Sequence, residues 1–284
     1  MSAPGAPRLS LVFPVFDEER NLGPLLASAL ALAPRLATPF EVIVVDDGSR
    51  DRSAAVVEAW RRRDPRVRLL RHPANAGYGA ALRSGLRAAR GEWVFFTDAD
   101  LQFDLAELGR LLAHTSRADL VIGYRAPRQD PWHRRAIARA WGLLVRALFG
   151  LRVRDIDCAF KVLHRPVLDA LPFASLGAFV STELLVRATR AGFRIVEVPV
   201  SHHPRRAGRA KGATPRVILR ALLELAALHG ELRRPAAGPG GRGLGHAASG
   251  PADALRYSSQ TAAQPRGALT GLQRATVSPG NETS

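Results

Sequence analysis

The chain has 284 residues, 46% of them apolar and 23% charged, which is enough apolar side chain for one sizeable core and too much for a disordered body. A single cysteine, Cys158, excludes a disulfide framework and a multi-cysteine zinc site. The net charge of +16 excludes an acidic protein and directs attention to anionic partners such as phosphates, lipid surfaces or nucleic acid.

The first residues, MSAPGAPRLSLVF, place no basic stretch ahead of an apolar one, so they do not read as a secretory leader. No uncharged apolar run reaches about 18 residues, so no spanning helix is expected, and a reducing cytoplasm is the expected setting. Leu9–Phe13 is a short apolar run that reads as a buried strand. Asn21–Ala33 carries Leu and Ala at helical spacing. Phe40–Val45 is a β-branched strand stopping at Asp46-Asp47-Gly48-Ser49. Ser53–Arg62 reads as a helix, Val67–Arg71 as a strand, and Ala80–Ala89 as a helix after the glycine-bearing loop 75–79. Glu92–Thr97 is a fourth strand ending at Asp98, Asp104–His114 a helix capped by Asp104, and Asp119–Gly123 a fifth strand. Such alternation, with continuous apolar strands, predicts an α/β fold: a mainly parallel sheet with helices on both faces.

The second half reads differently. His133–Phe149 is an amphipathic helix rich in arginine, Ala159–Leu163 a short strand, Thr182–Ala191 a helix and Phe193–Val200 a half-buried strand. A basic loop follows at 201–211, then an amphipathic helix at 217–232. From 233 to 284 the chain is Gly, Pro, Ala, Ser and Arg without periodicity, and it is expected to be a disordered tail. The expected organisation is one domain over 1–216, with a nucleotide-binding half at about 1–123 and an acceptor half at about 124–216. The charge is uneven too: +7 falls on residues 117–154, +6 on 194–220 and +4 on the tail, and only Lys161 and Lys211 are lysines. Arginine forks suit phosphate.

Three acidic clusters fall just past strands: Asp17-Glu18-Glu19, Asp46-Asp47 and Asp98-Ala99-Asp100. Ligands of open parallel sheets bind at that edge. Any one cluster is ordinary turn chemistry. Three together would repel one another unless cations or donors lie between them. The Asp98-x-Asp100 spacing can hold one Mg²⁺ or Mn²⁺ together with a diphosphate. No G-x-x-x-x-G-K-S/T loop occurs, and no G-x-G-x-x-G follows the first strand, so the usual phosphate cradles are absent from the sequence.

Four strings, PVFDEERNL (14–22), VIVVDDGSRDRS (42–53), NAGYGAALRSGL (75–86) and FFTDADLQFD (95–104), in that order, resemble family 2 glycosyltransferases of the GT-A fold. The branch they are most similar to contains the polyprenyl-phosphate (dolichyl-phosphate) mannosyl- and glucosyltransferases. The resemblance implies that Pro14, Phe16 and Glu18 hold the base and ribose edge of a nucleotide-sugar, with Asp46 and Asp47 beside it. It implies that Asp98, Asp100 and Gln102 hold the divalent metal and the donor diphosphate.

DIDCAFKVLHR (155–165) resembles the family's D-x-x-x-G-F-R/K segment and places Asp155 on the acceptor side, with Asp157 as an additional acid; its Cys-x-Phe-Lys form is closer to the glucosyl branch. Glu183 matches an acidic position on a family helix near the acceptor. Arg205 and Lys211 match R-x-x-G-x-S/A-K after the strand E-V-P-V, a loop that can close over a diphosphate. Arg125, Arg135 and Arg139 fall where the family binds phosphate. Cys158 reads as packing.

An acceptor phosphate is already ionised and needs cations rather than a general base. A hydroxyl acceptor would need a carboxylate such as Asp157 or Glu183. The expected reaction is therefore inverting, metal-dependent transfer of a hexose from a GDP-mannose- or UDP-glucose-type donor to a polyprenyl phosphate, with Asp100, Arg125, Arg139, Asp157, Arg205 and Lys211 at the reacting groups. Transfer to a hydroxyl of a glycan, lipid or small molecule is the alternative. The apolar faces of the two amphipathic helices could lie on the cytoplasmic face of an anionic membrane, or be ordinary core or a dimer seam. Nucleic acid is not an expected partner, since only 6% of residues are aromatic and no binding motif appears.

Overall fold

The computed structural model describes residues 7–127, 132–205 and 215–233. Lys211 and the tail from 234 onward lie outside the described residues. Seven strands form one sheet: β1 (Leu9–Val15), β2 (Phe40–Asp46), β3 (Val67–Arg71), β4 (Trp93–Phe96), β5 (Leu120–Arg125), β6 (Lys161–His164) and β7 (Ile195–Val200), ordered β3-β2-β1-β4-β6-β5-β7. Every neighbouring pair is parallel except those made by β6, which runs against both β4 and β5. The expected mainly parallel α/β sheet is what the chain forms.

Side-chain alternation along β1 sorts the core into two layers. Leu9, Leu11, Phe13 and Val15 face one layer, with α1 (Glu19–Leu36), α2 (Ser53–Arg63) and α4 (Leu108–Leu112) packed over it. Val12, with Ile43 and Val45 of β2, faces the other, under α3 (Tyr78–Ala88) and α7 (Val180–Arg190). That second layer also receives Val145 from α5 (Trp132–Phe149), Val167 from α6 (Arg165–Ala170), and Leu225 and Leu228 from α8 (Pro215–Arg233). Helix α8 is tied down by a fork: Arg187 of α7 donates to both carboxylate oxygens of Glu231 at 2.9 and 2.8 Å.

Strand β1 runs two residues further than its apolar run predicts and takes in Pro14. The last β1 residue paired with β4 is Val12, opposite Phe96. Pro14 lies past that point, so its missing N–H forfeits no ladder bond to β4. The segment at Asp104–His114 divides into a single 3-10 turn, Leu105–Glu107, and α4, with Asp104 accepting from Ala106 N at 2.9 Å.

The antiparallel strand matters most for the site. Because β6 runs backwards, its first residue, Lys161, lies opposite Phe96, the last residue of β4. The segment leading into β6 therefore reaches the same edge as the carboxyl ends of the parallel strands. Residues 16–19, 46–49, 97–102, 125, 155–160 and 201–205 all gather on that rim.

Candidate active site

Two of the three acidic clusters are neutralised by the chain itself. Asp46, fully buried, accepts from Ser49 N at 3.0 Å and lies 3.2 Å from Arg71 Nε. Asp47 accepts from Ala76 N and Gly77 N at 2.9 Å each and pairs with His72 Nδ1 at 2.7 Å. Asp17, in left-handed backbone at φ 54°, donates its N–H to Ser49 Oγ at 2.9 Å and accepts from Arg50 N at 2.8 Å. Glu18 N donates to Ser53 Oγ at 2.9 Å, and Glu18 Oε2 accepts from Asn21 Nδ2 at 2.6 Å. The loops after β1 and β2 are thus stitched together through their acids, with Pro14 buried beneath and Phe16 half-buried beside them.

The third cluster is different. Asp98 Oδ1 is fully buried with no hydrogen-bond partner of proper geometry, and the same is true of the Tyr78 hydroxyl that faces it. Burial first, then the Asp100 charge, push Asp98 up to about 7, against the pull of Tyr78, Lys161 and Arg205. Burial likewise raises Asp100, whose Oδ1 accepts from Gln102 N at 3.2 Å. Burial and the Asp98 charge drive the Tyr78 hydroxyl well above its ordinary value. Leu101, between these acids and Gln102, holds φ 58°, a left-handed conformation rarely taken by a branched side chain. The Gln102 side-chain amide donates to His203 O at 3.0 Å, leaving its own carbonyl oxygen as the atom that can face a cation.

On the acceptor side, Arg125 closes β5 and forks onto Asp155 at 2.6 and 2.8 Å, both side chains nearly buried. Asp157 is exposed one turn further on. Between them and β6, the fully buried Lys161 donates from Nζ to Ile156 O at 3.1 Å and to Cys158 O. Burial pulls this ammonium down, while Cys158, Asp155, Asp157 and Asp98 hold it up. Cys158 is packed inside, its thiol pushed up to about 12 by burial. Glu183 is buried too: it accepts from Ser175 N at 2.8 Å and from Arg187 Nε at 2.9 Å, so it braces a loop inside the protein. Arg135 and Arg139 stand exposed on α5. Arg205 reaches back to the rim and donates to Glu18 Oε1, with a second contact to Asp100 at 3.7 Å.

Asp98 and Asp100 are thus neighbouring rim carboxylates whose charge burial opposes, and Asp98 Oδ1 has no hydrogen-bond partner to offset it. A divalent cation fits that deficit, with Asp98, Asp100 and Gln102 as its donors. Among the described residues no group of three or more His, Cys, Asp or Glu side chains forms a metal cage, so oxygens from a ligand would have to complete the shell. Sequence reasoning passed over Lys161 and Tyr78. Lys161 had a signal: it is one of two lysines in a chain with 41 basic residues. A small tetrahedral ammonium fits between two carbonyls where a guanidinium does not. Tyr78 carried none, being one apolar-faced residue at a helix start.

The model of the family "Glycosyl transferase family 2" matches residues 10–171. The chain is 32% identical over 205 residues to the undecaprenyl-phosphate 4-deoxy-4-formamido-L-arabinose transferase of Edwardsiella ictaluri, covering 72% of this chain and 62% of that one. It is 33% identical over 213 residues to the protein of the same name in Pseudomonas aeruginosa (strain LESB58), covering 74% and 62%. It therefore spans about 62% of the length of these curated relatives. Among solved structures it is similar to glucosyl-3-phosphoglycerate synthase from Mycobacterium tuberculosis in complex with Mn²⁺, UDP and phosphoglyceric acid, with a TM-score of 0.62 at 23% identity over 83% of this chain and 81% of that one. The same enzyme in complex with Mg²⁺ and UDP gives a TM-score of 0.60 at 24% identity, over 78% and 79%. At that identity the likeness is one of fold, the GT-A arrangement.

Proposed function

The chain belongs to glycosyl transferase family 2, and from that membership we propose that it moves a hexose from a nucleotide-sugar to a polyprenyl phosphate with inversion at the sugar C1. The observation that carries the reading is the Asp98–Asp100 pair: burial raises both carboxyls, the two acids repel one another, and Asp98 Oδ1 is buried without a hydrogen-bond partner. Asp98, Asp100 and Gln102 would hold Mg²⁺ or Mn²⁺, as the Mn²⁺- and Mg²⁺-bound synthase of similar fold supports. When bound, such an ion offsets negative charge on the departing nucleoside diphosphate. Glu18 and the braced loops carrying Asp46 and Asp47 shape the nucleotide side, with Pro14 and Phe16 beside them. Asp47 acts there through the loop it anchors rather than by touching the nucleotide.

The acceptor phosphate needs placement, not deprotonation. Arg125, held by Asp155, presents a fixed cation at the end of β5. Arg135, Arg139 and Lys211 supply further positive charge for the phosphate, and Glu183 positions the loop at 174–175. The curated relatives are named for undecaprenyl phosphate, which supports a polyprenyl phosphate here. They are named for a substituted arabinose, so the hexose assignment rests on the sequence resemblance alone. A lipid acceptor also gives meaning to the exposed apolar residues Trp132 and Leu143 on α5 and Leu219 and Leu223 on α8, interspersed with arginines. We place these helices at an anionic membrane surface. No described helix is long and apolar enough to cross a membrane.

The test is nucleoside diphosphate release from GDP-mannose, UDP-glucose, UDP-N-acetylglucosamine and the UDP-linked formamido-arabinose, each with and without undecaprenyl phosphate. Release that requires the lipid phosphate supports the proposal. Release that requires a hydroxyl acceptor instead replaces it with the alternative in which exposed Asp157 acts as base. A retained anomeric configuration would exclude single displacement.

A further inference from the structure

Arg205 follows β7 and bridges two loops. Its guanidinium donates to Glu18 Oε1, on the loop after β1, and lies 3.7 Å from Asp100 Oδ2, on the loop after β4. The three side chains are 18%, 10% and 11% exposed, so solvent screens the contact weakly. Asp100 Oδ1 is meanwhile engaged by the Gln102 amide at 3.2 Å. Each oxygen of Asp100 therefore has a contact within the protein, and the one on Oδ2 is a full positive charge. A divalent ion that takes Asp100 therefore sits close to the Arg205 guanidinium, a like charge already drawn to the same carboxylate.

We propose that Arg205 is a resident counter-ion that competes with the divalent cation for Asp100 and moves onto the donor diphosphate when nucleotide arrives. This rests on the reading of Asp98 and Asp100 as the metal and diphosphate site. The electrostatics run in one direction. Without ligand, Glu18, Asp98 and Asp100 gather acid charge that Arg205 partly balances. A metal alone adds positive charge beside Arg205 and strips it of a partner. A diphosphate supplies new acceptor oxygens for the guanidinium and ligands for the metal at once. Metal and nucleotide should then favour each other's binding, and by linkage the effect is reciprocal. Arg205 makes the site reluctant to take a bare cation and receptive to a cation with its nucleotide.

The experiment measures Mn²⁺ binding by electron paramagnetic resonance on the full chain, first alone, then with UDP and with GDP. Arg205→Met and Arg205→Gln are compared with the unaltered protein, and melting temperature confirms folding of at least one variant. The expected result is Mn²⁺ binding about five- to tenfold tighter in the variants without nucleotide, as removal of a competing like charge predicts. The gain in Mn²⁺ affinity on adding nucleotide should shrink in the variants. Equal or weaker Mn²⁺ affinity in a folded variant overturns the role of Arg205 while leaving the metal site intact. No Mn²⁺ binding in any of the proteins overturns the site itself, and this inference with it.

Discussion

Asp47 Oδ2 accepts the amide hydrogen of Gly77 at 2.9 Å across thirty residues of sequence. The bond joins the end of β2 to the start of α3. Together with the bonds from Ala76 N and His72, it turns a buried acid into an anchor for the loop that delivers Tyr78 to Asp98. Asp47→Ala removes the acceptor for two amides at once. An unmet buried donor costs about 1–3 kcal/mol, so a fall in melting temperature of roughly 5–10 °C is expected. Asp47→Asn, which keeps one acceptor oxygen, should fall by less. Calorimetry with nucleotide titration checks this. Lost nucleotide affinity at an unchanged melting temperature would instead make Asp47 a direct ligand.

Gly77 itself holds φ 102°, and a Cβ there would lie 2.5 Å from Leu176 O. Gly77→Ala is therefore both strained and obstructed, and a loss of about 2 kcal/mol or more is expected. Gly142, inside α5, is the control, because a Cβ there meets nothing within 4 Å. Gly142→Ala should stabilise by up to about 1 kcal/mol through helix propensity. Urea unfolding of the two variants side by side reads the contrast, and similar values for both would contradict it.

Most of the strand pattern was legible in the sequence because buried strands of a parallel sheet are continuous apolar runs, as in residues 42–45 (VIVV) and 93–96 (WVFF). Strand direction was not legible. Nothing in KVLH says that β6 runs backwards, and that reversal is what carries Lys161 and Asp155 to the rim. Helix α6 was also missed: six residues containing Pro166 are too few to show a period. At the site, carboxylate clusters were visible but their partners were not. Asp47 and Asp98 look alike in sequence, yet one is spent on backbone amides and the other is left buried with an unmet oxygen. Glu183 reads as an acid facing the acceptor and is in fact almost wholly buried.

The Arg125–Asp155 fork makes a separable prediction. Both side chains are nearly buried, so Asp155→Ala leaves a nearly buried guanidinium without the carboxylate it forks onto. Breaking such a pair from one side costs about 3–5 kcal/mol, whereas replacing both partners is far milder. Asp155→Ala should unfold earlier than Arg125→Met/Asp155→Ala, while both abolish acceptor-dependent turnover. A double variant no more stable than the single one would mean that the fork is not a coupled unit.

Asp98 gives stability a pH dependence of unusual sign. Its folded value of about 7 lies above the ordinary 3.8. Below about pH 4 the carboxyl is protonated in both states and burial is harmless. Between about pH 4 and pH 7 the unfolded chain releases this proton while the folded chain keeps it, so stability falls as pH rises, and the loss is complete above the folded value. The protein stripped of metal by a chelator should therefore be weaker at pH 8 than the Asp98→Asn variant. The expected gap is a few kcal/mol, or about 5–10 °C in melting temperature. At pH 5 the gap should be only about a third as large, and below about pH 4 the two should nearly coincide. Acids with lowered values, such as Asp64 and Asp119, act in the opposite direction but equally in both proteins, so the difference isolates Asp98. Added Mn²⁺ at pH 8 should stabilise only the protein that retains the carboxylate and so narrow the gap. A gap that stays constant from pH 5 to pH 8 would show that Asp98 is already ionised in the resting protein, its charge held by Lys161, Tyr78 and Arg205 without help from a bound cation.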